Sequence, residues 1–264
     1  MKFLGAILVA LAACTASAQE IRIGGTGAAL GSIKLLVDAY ARESPGFQAR
    51  VVTGLGGSGS VKAMVAGAIE LAIASRPMNA EERALGIVEI EYARTPFVFA
   101  VSADSKLSSI TSGQLVEIYG GTMAKWPDGT PVRVVLRPPS DIDTHILKSM
   151  SREMAEAVLA AEKRRGIAMS TTDQDAADDI ARIQGAIGPS NLALLTSEKR
   201  PLKVLRLDGR EPTVANIASG AYPYYKRMFF VTKPKPPEQV QRFIAFVQSP
   251  GGRKVLAQTG HWVP

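Results

Sequence analysis

A single cysteine, Cys14, in a chain of 264 residues leaves no disulfide framework. The two histidines add too little soft-ligand chemistry for a zinc site. Beyond the first twenty residues no apolar run reaches membrane-spanning length. There is no internal repeat and no low-complexity linker. What is present is ordinary for a globular protein: 46% apolar and 21% charged residues, which exclude disorder, collagen and coiled coil. The length suits one large or two ordinary domains. The net charge of +7 admits an acidic partner, but the Lys and Arg residues are spread out. Their densest run, Lys163-Arg164-Arg165, reads as a solvated helix end, so no nucleic-acid partner is expected.

The start of the chain has a separate character. Lys2 precedes an apolar run from Phe3 to Ala13, followed by Ala16-Ser17-Ala18. A basic start, a short apolar core and an A-x-A site read as a secretory signal peptide over residues 1–18, cleaved before Gln19. Leu11-Ala12-Ala13-Cys14 also fits a bacterial lipobox, in which Cys14 is acylated and becomes the first residue. Both routes place the domain outside the cytoplasm, in the periplasm.

Strand and helix periods then alternate. Strands are expected at 20–25, 50–54, 71–75, 132–137, 202–207 and 228–232, with Pro96 opening a further apolar run at 97–101. Helices are expected at 32–43, 61–68, 144–150, 151–165, 174–183 and 237–248. Asn79 with Glu82, and Thr111 with Gln114, have capping-box spacing. The alternation implies an α/β fold with mostly parallel sheets, in which ligands bind at the carboxyl ends of strands.

Four segments collect where such a site would lie. Gly24-Gly25-Thr26-Gly27 joins a strand to a helix, so Thr26 and Gly27 can offer a hydroxyl and free N–H groups to an anion, or simply make a tight turn. Gly57, Ser58, Gly59 and Ser60 precede the next helix and suit an oxyanion cradle or a flexible turn. They form neither a Walker A loop nor a nucleophile elbow. Ser75 and Arg76 end a strand, and Arg76 can hold an anion or pair with Glu81 or Glu82. Arg137 ends another strand and leads into Ser140, Asp141, Asp143 and Thr144; its fork suits an oxyanion, and Ser140, Asp143 or Thr144 can cap the helix. His145 and His261 read as surface or packing residues, and no nucleophile–base pair is visible, so no catalytic residue is assigned.

These segments, in this order, resemble the phosphate-binding periplasmic proteins of bacterial ABC importers, the PstS-like family. Gly54 to Ser60, Ser75-Arg76-Pro77 with Glu81-Glu82, and the Ser112–Trp126 helix-plus-Trp segment follow its pattern. Further matches are Gly185-Ala186-Ile187-Gly188, Leu207-Asp208-Gly209, Asn216 to Gly220, Ser249 to Gly252 and the closing Gly260-His261-Trp262-Val263-Pro264. The resemblance implies two α/β lobes, 20–94 plus 222–264 and 95–221, joined by crossover strands in the type II binding-protein fold with the ligand in the cleft. It also carries the ligand contacts onto the Thr26 loop, Gly57 to Ser60, Ser75-Arg76, and Arg137 with the loop after it. One departure stands out: where the family has Ser-Gly-Thr after the strand arginine, this chain has Ser140-Asp141-Ile142-Asp143-Thr144. Carboxylates there repel an anion unless they point away or accept a proton from it, as a protonated phosphate allows.

The expectation is therefore a monomeric exported protein that captures a small oxyanion, phosphate before others, for an ABC permease in the inner membrane. It needs no cofactor and no metal. The rivals are a sensory or scavenging binding protein of the same fold and an exported phosphate-ester hydrolase.

Overall fold

The computed structural model describes residues 20–264. The signal-peptide and Cys14 expectations lie outside the described residues. The chain order is β1 (Ile21–Gly25), α1 (Gly27–Glu43), β2 (Ala49–Val52), α2 (Gly56–Val65), β3 (Leu71–Ala74), α3 (Ala80–Ala84) and the long β4 (Val88–Ser102). Then come β5 (Ser109–Ile110), α4 (Ser112–Gly120), β6 (Arg133–Leu136), α5 (Ile142–Met150), α6 (Arg152–Lys163), β7 (Ala168–Met169) and α7 (Asp173–Arg182). The last third holds β8 (Ala186–Asn191), α8 (Leu192–Ser197), β9 (Leu202–Val204), β10 (Arg206–Leu207), α9 (Val214–Ala218), β11 (Tyr225–Thr232), α10 (Glu238–Gln248) and α11 (Pro250–Gln258).

The large sheet runs β2-β1-β3-β11-β4-β8-β6-β7, with β9 added along β4. β4 belongs to both ends of it. Residues 88–96 pair with β11, and residues 97–101 pair with β8. Pro96 sits where the partner changes, a position at which a missing N–H does least harm to the ladder. The outer pairs β1–β2, β1–β3, β6–β7 and β6–β8 are parallel, as α/β alternation implies. The pairs on β4 and β11 are antiparallel, so the expectation of mostly parallel sheets fails at the centre. There the two strands run back and forth between two bodies instead of crossing over helices.

Each body has its own core. In the first lobe Ile23, Ile33, Leu36, Ile73, Met228, Phe230 and Phe243 pack between α1, the sheet and α10. A second layer of Val61, Met64, Ala72 and Phe229 lies beneath α2. In the second lobe Phe97, Phe99, Tyr119, Leu147, Val158 and Tyr222 form one layer, and Val98, Val135, Ala177, Ile180 and Leu194 the other. Side chains alternate across β4, so Phe97 and Phe99 feed one layer while Val98 and Ala100 feed the opposite one. The capping boxes at Asn79–Glu82 and Thr111–Gln114 are formed as their spacing requires.

Helix starts differ most from expectation. α1 begins at Gly27 and α2 at Gly56, five residues before Ser32 and Val61 respectively. Gly24 and Gly25 thus end β1 and Gly27 opens α1, while Gly56 to Ser60 lie within the first turns of α2 and not in a loop in front of it. Gly54 and Gly56 carry the turn into α2 at φ of 79° and 63°, a region that glycine enters without cost.

Candidate functional site

Four helices begin at one cleft between the lobes: α1 and α2 from the first, α5 and α7 from the second. Their N-termini enclose a cavity of about 220 Å³. On the first-lobe side it is lined by Thr26, Gly27, Gly57, Ser58, Ser75 and Arg76. On the second-lobe side it is lined by Arg137, Ser140, Asp141, Thr172, Asp173 and Gln174. The parallel strands β1, β2, β6 and β7 lead directly into α1, α2, α5 and α7, which is why these four helices start here, and β3 ends here just before Ser75 and Arg76.

The two walls differ in how the helix ends are satisfied. Neither α1 nor α2 has a side-chain cap, so their first-turn amides meet the cavity without a local acceptor from the residue in front. Thr26 precedes α1 and is buried; its Oγ1 accepts a hydrogen bond from Ser75 Oγ at 3.2 Å. Ser58 Oγ accepts from Arg76 Nη2 at 3.0 Å. Arg76 itself grips Glu82 through both terminal nitrogens at 2.7 Å, the pairing alternative that its sequence allowed. That pairing holds the Glu82 carboxyl below its usual range.

The second-lobe wall is filled by its own carboxylates. The α5 cap is Asp141, which accepts from the Asp143 amide at 2.9 Å; Ser140, Asp143 and Thr144 do not cap it. Thr172 caps α7 in a box with Asp175. Arg137 forms part of the wall yet is only 2% exposed. Its Nη1 donates to the Ser170 carbonyl at 2.7 Å and its Nη2 to Asp141 Oδ2 at 2.8 Å. Asp173 Oδ2 lies 3.6 Å from Nη2, and Asp143 Oδ2 lies 3.7 Å from Nε, which makes no hydrogen bond.

Behind Arg137 lies a fully buried lysine, Lys226 of β11. Its Nζ is 2.6 Å from Asp143 Oδ1, an ion pair too poorly aligned to count as a hydrogen bond, and it donates to Asp173 Oδ1 at 3.1 Å. Two cations thus face three carboxylates. The carboxylates divide the load unequally. Burial pushes Asp143 up to about 7 against the pull of Lys226, so it is the group that takes a proton. Burial also opposes ionisation of Asp173, but Lys226, Arg137 and the Ala28 N–H outweigh it and keep this carboxyl below its usual range.

Several residues singled out in the sequence do not reach the cavity. Gly59 lies one turn into α2. Ser60 is buried, and its hydroxyl donates to the Gly57 carbonyl at 2.7 Å. Asp143 sits behind the wall against Lys226, and Thr144 turns its hydroxyl to the Arg137 carbonyl at 3.0 Å. The cavity also holds residues that the sequence reading passed over: Thr171, Thr172, Asp173 and Gln174. The Thr172-x-x-Asp175 spacing, the same signal read at Asn79 and Thr111, marks that helix start. Lys226 could be found by its place in Tyr225–Thr232, where it takes a buried position while the strand's other charge, Arg227, is only half-buried and pairs with Glu91.

Residues 12–250 match the family described as "PBP superfamily domain". The chain belongs to the PBP superfamily. Among curated members it is 24% identical to the phosphate-binding protein PstS of Bacillus subtilis, over 93% of this chain and 80% of that protein. It is 28% identical to protein SphX of Synechococcus elongatus, over 82% of this chain and 69% of that one. Among solved structures it superposes with a TM-score of 0.79, at 20% identity, on a putative phosphate ABC transporter substrate-binding protein of Clostridium perfringens with bound phosphate. That match covers 93% of this chain and all of the other.

Proposed function

We propose that this PBP-superfamily protein is an exported solute-binding protein that captures a small oxyanion, phosphate, between its lobes and hands it to an ABC permease. One observation carries the reading. Two helix N-termini without side-chain caps, α1 and α2, converge with the hydroxyls of Thr26, Ser58 and Ser75 on a cavity roomy enough for a small anion and walled on its other side by the second lobe. Bare helix-start amides and hydroxyls are the groups that bind oxyanions without a full counter-charge. The phosphate-binding names among the relatives support the choice of anion.

The finer elements of the reading go with it. The lobes comprise 20–94 plus 222–264 and 95–221, a division supported by the change of partner at Pro96 and by the separate cores, although Tyr222 at the boundary packs into the second core. The protein acts as a monomer, without catalysis. His145 is exposed on α5 and His261 is buried, and neither lines the cleft. Among the described residues no helix is long and apolar enough to cross a membrane. The mature protein begins at Gln19, or at an acylated Cys14, which mass spectrometry of natively exported protein decides.

The test is calorimetry of ligand-stripped protein against phosphate, arsenate, sulfate and molybdate. Phosphate and arsenate are expected to bind and sulfate to bind far more weakly, because a carboxylate-lined wall accepts a proton from the ligand and repels one that has none to give. Binding of none of these anions overturns the reading.

A further inference from the structure

The feature that the oxyanion reading leaves unused is the position of Asp173. It opens α7 in the second lobe, yet its carboxylate lies against the start of α1 in the first. A Cβ placed on Gly27 would lie 2.9 Å from Asp173 Oδ2, and closer still to Gln174 Oε1. The Ala28 amide, next along α1, favours the ionised carboxylate. The same carboxylate faces Arg137 Nη2 at 3.6 Å and Lys226 Nζ at 3.1 Å. An uncapped helix N-terminus, a guanidinium and an ammonium therefore converge on one side-chain anion, a ligand set of the kind an exogenous oxyanion needs.

The neighbouring residue secures the arrangement. Gln174 Nε2 donates to the Gly27 carbonyl at 3.0 Å across the cleft and to Glu198 Oε1 at 2.7 Å within its own lobe. The lobes are thus tied at α1 by two consecutive residues of α7. Lys226 adds a third tie, because it sits on the crossover strand β11 beside Thr95 of β4 while both of its partners belong to the second lobe.

We propose that the Asp173 carboxylate is a built-in stand-in for the ligand: it occupies the anion position at the α1 N-terminus, latches the empty protein shut, and must be displaced by the incoming anion. The proposal rests on the oxyanion reading of the same cleft and adds to it a residue that sets affinity. A latch that holds the binding-incompetent form lowers the apparent affinity by the fraction of protein it withdraws. The displaced carboxylate also leaves Arg137 facing the anion. The device thus makes the site selective for an anion that binds better than a tethered carboxylate, and it explains how a cleft with carboxylates on one wall remains an anion site.

Asp173→Asn keeps the shape and removes the charge, while Asp143 remains as a partner for Lys226. Without phosphate, this variant is expected to show a larger radius of gyration in small-angle X-ray scattering than the native protein. It should bind inorganic phosphate more tightly, by about fivefold or more, and phosphate should restore the native compact scattering. Gly27→Ala tests the latch without a change of charge, because its methyl group collides with Asp173 and Gln174; it too should open the empty protein. If either variant stays as compact as the native protein without phosphate, or if the native protein binds phosphate and Asp173→Asn binds it no more tightly, the proposal is overturned. Should Asp173→Asn fail to fold, the scattering of Gly27→Ala alone decides the latch. Opening of the variants with no phosphate binding by any of the proteins supports the latch and overturns the phosphate reading instead.

Discussion

Arg137 shows how a residue's chemistry depends on what surrounds it. A strand-ending arginine invites a two-pronged oxyanion clamp, and Arg137 does stand in the cleft wall. Its donors, however, are largely engaged by Ser170 and Asp141, with Asp143 and Asp173 close by. Removing one member of a buried charged group leaves the others uncompensated, which typically costs about 3–5 kcal/mol. Arg137→Ala is therefore expected to lose stability of about that size, read by denaturant unfolding at pH 7, before any effect on ligand is measured. A variant that unfolds at the native denaturant concentration would show that the carboxylates are solvated without it. The sequence exposed the arginine and the unusual Asp141 and Asp143, but not Asp173 or Lys226, because these come from positions 36 and 89 residues away along the chain.

At the scale of elements, caps were the most legible signal. The boxes read at Asn79 and Thr111 form, each pairing an amide oxygen or hydroxyl with the third residue of the helix, and a third box of the same spacing, passed over in the sequence reading, forms at Thr172. In α4, Thr111 Oγ1 accepts from the Gln114 amide at 3.1 Å, and Gln114 Oε1 accepts from the Thr111 amide at 3.0 Å. Thr111→Ala should cost about 1 kcal/mol and lower the melting temperature by about 2–4 °C; a scan that shows no shift would mean the box contributes nothing. The elements that escaped the sequence reading have the opposite character. β8 is buried throughout but contains Gly188 and Pro189, and α11 opens with Pro250-Gly251-Gly252, so breaker residues hide both. In β8 the sheet supplies what propensity does not. In α11 proline stands at the first helical position, where its missing N–H costs nothing.

For the whole molecule, acid sensitivity can be assigned to particular groups. His261 is buried near the C-terminus with Nε2 unpartnered and Nδ1 3.2 Å from Thr259 Oγ1. Burial lowers its pKa to about 4, a shift that backbone contacts around Leu256 and Thr259 only partly offset. Between 6.5 and about 4 the unfolded chain therefore binds a proton that the folded chain refuses, so stability falls as pH falls through that window. The gap is worth about 3 kcal/mol. Asp143 acts in the opposite sense, since its raised carboxyl binds a proton more readily in the folded state and stability falls as pH rises from 3.8 towards about 7. Comparison with His261→Asn separates the two: unfolding midpoints taken from pH 4 to 7 should fall less steeply with acid in the variant. Parallel profiles would mean that His261 is protonated in the folded protein.

The sequence by itself determined the local layer of this protein: alternating strand and helix, the capped helix starts, and two glycine- and serine-rich segments followed by helices. Those features depend on residues within a few positions of one another, so their spacing carries the information. Tertiary structure decided everything that needs distant segments together. It made β4 and β11 antiparallel crossovers at the centre of an otherwise parallel sheet. It brought Lys226 up behind Arg137 and set Asp173 against the start of α1. The hydrophobic effect has no direction along the chain and cannot announce in sequence which charges it will bury side by side. Once they are buried, low dielectric makes each charge depend on every neighbour, and only the folded arrangement fixes which carboxylate takes the proton and which keeps the charge.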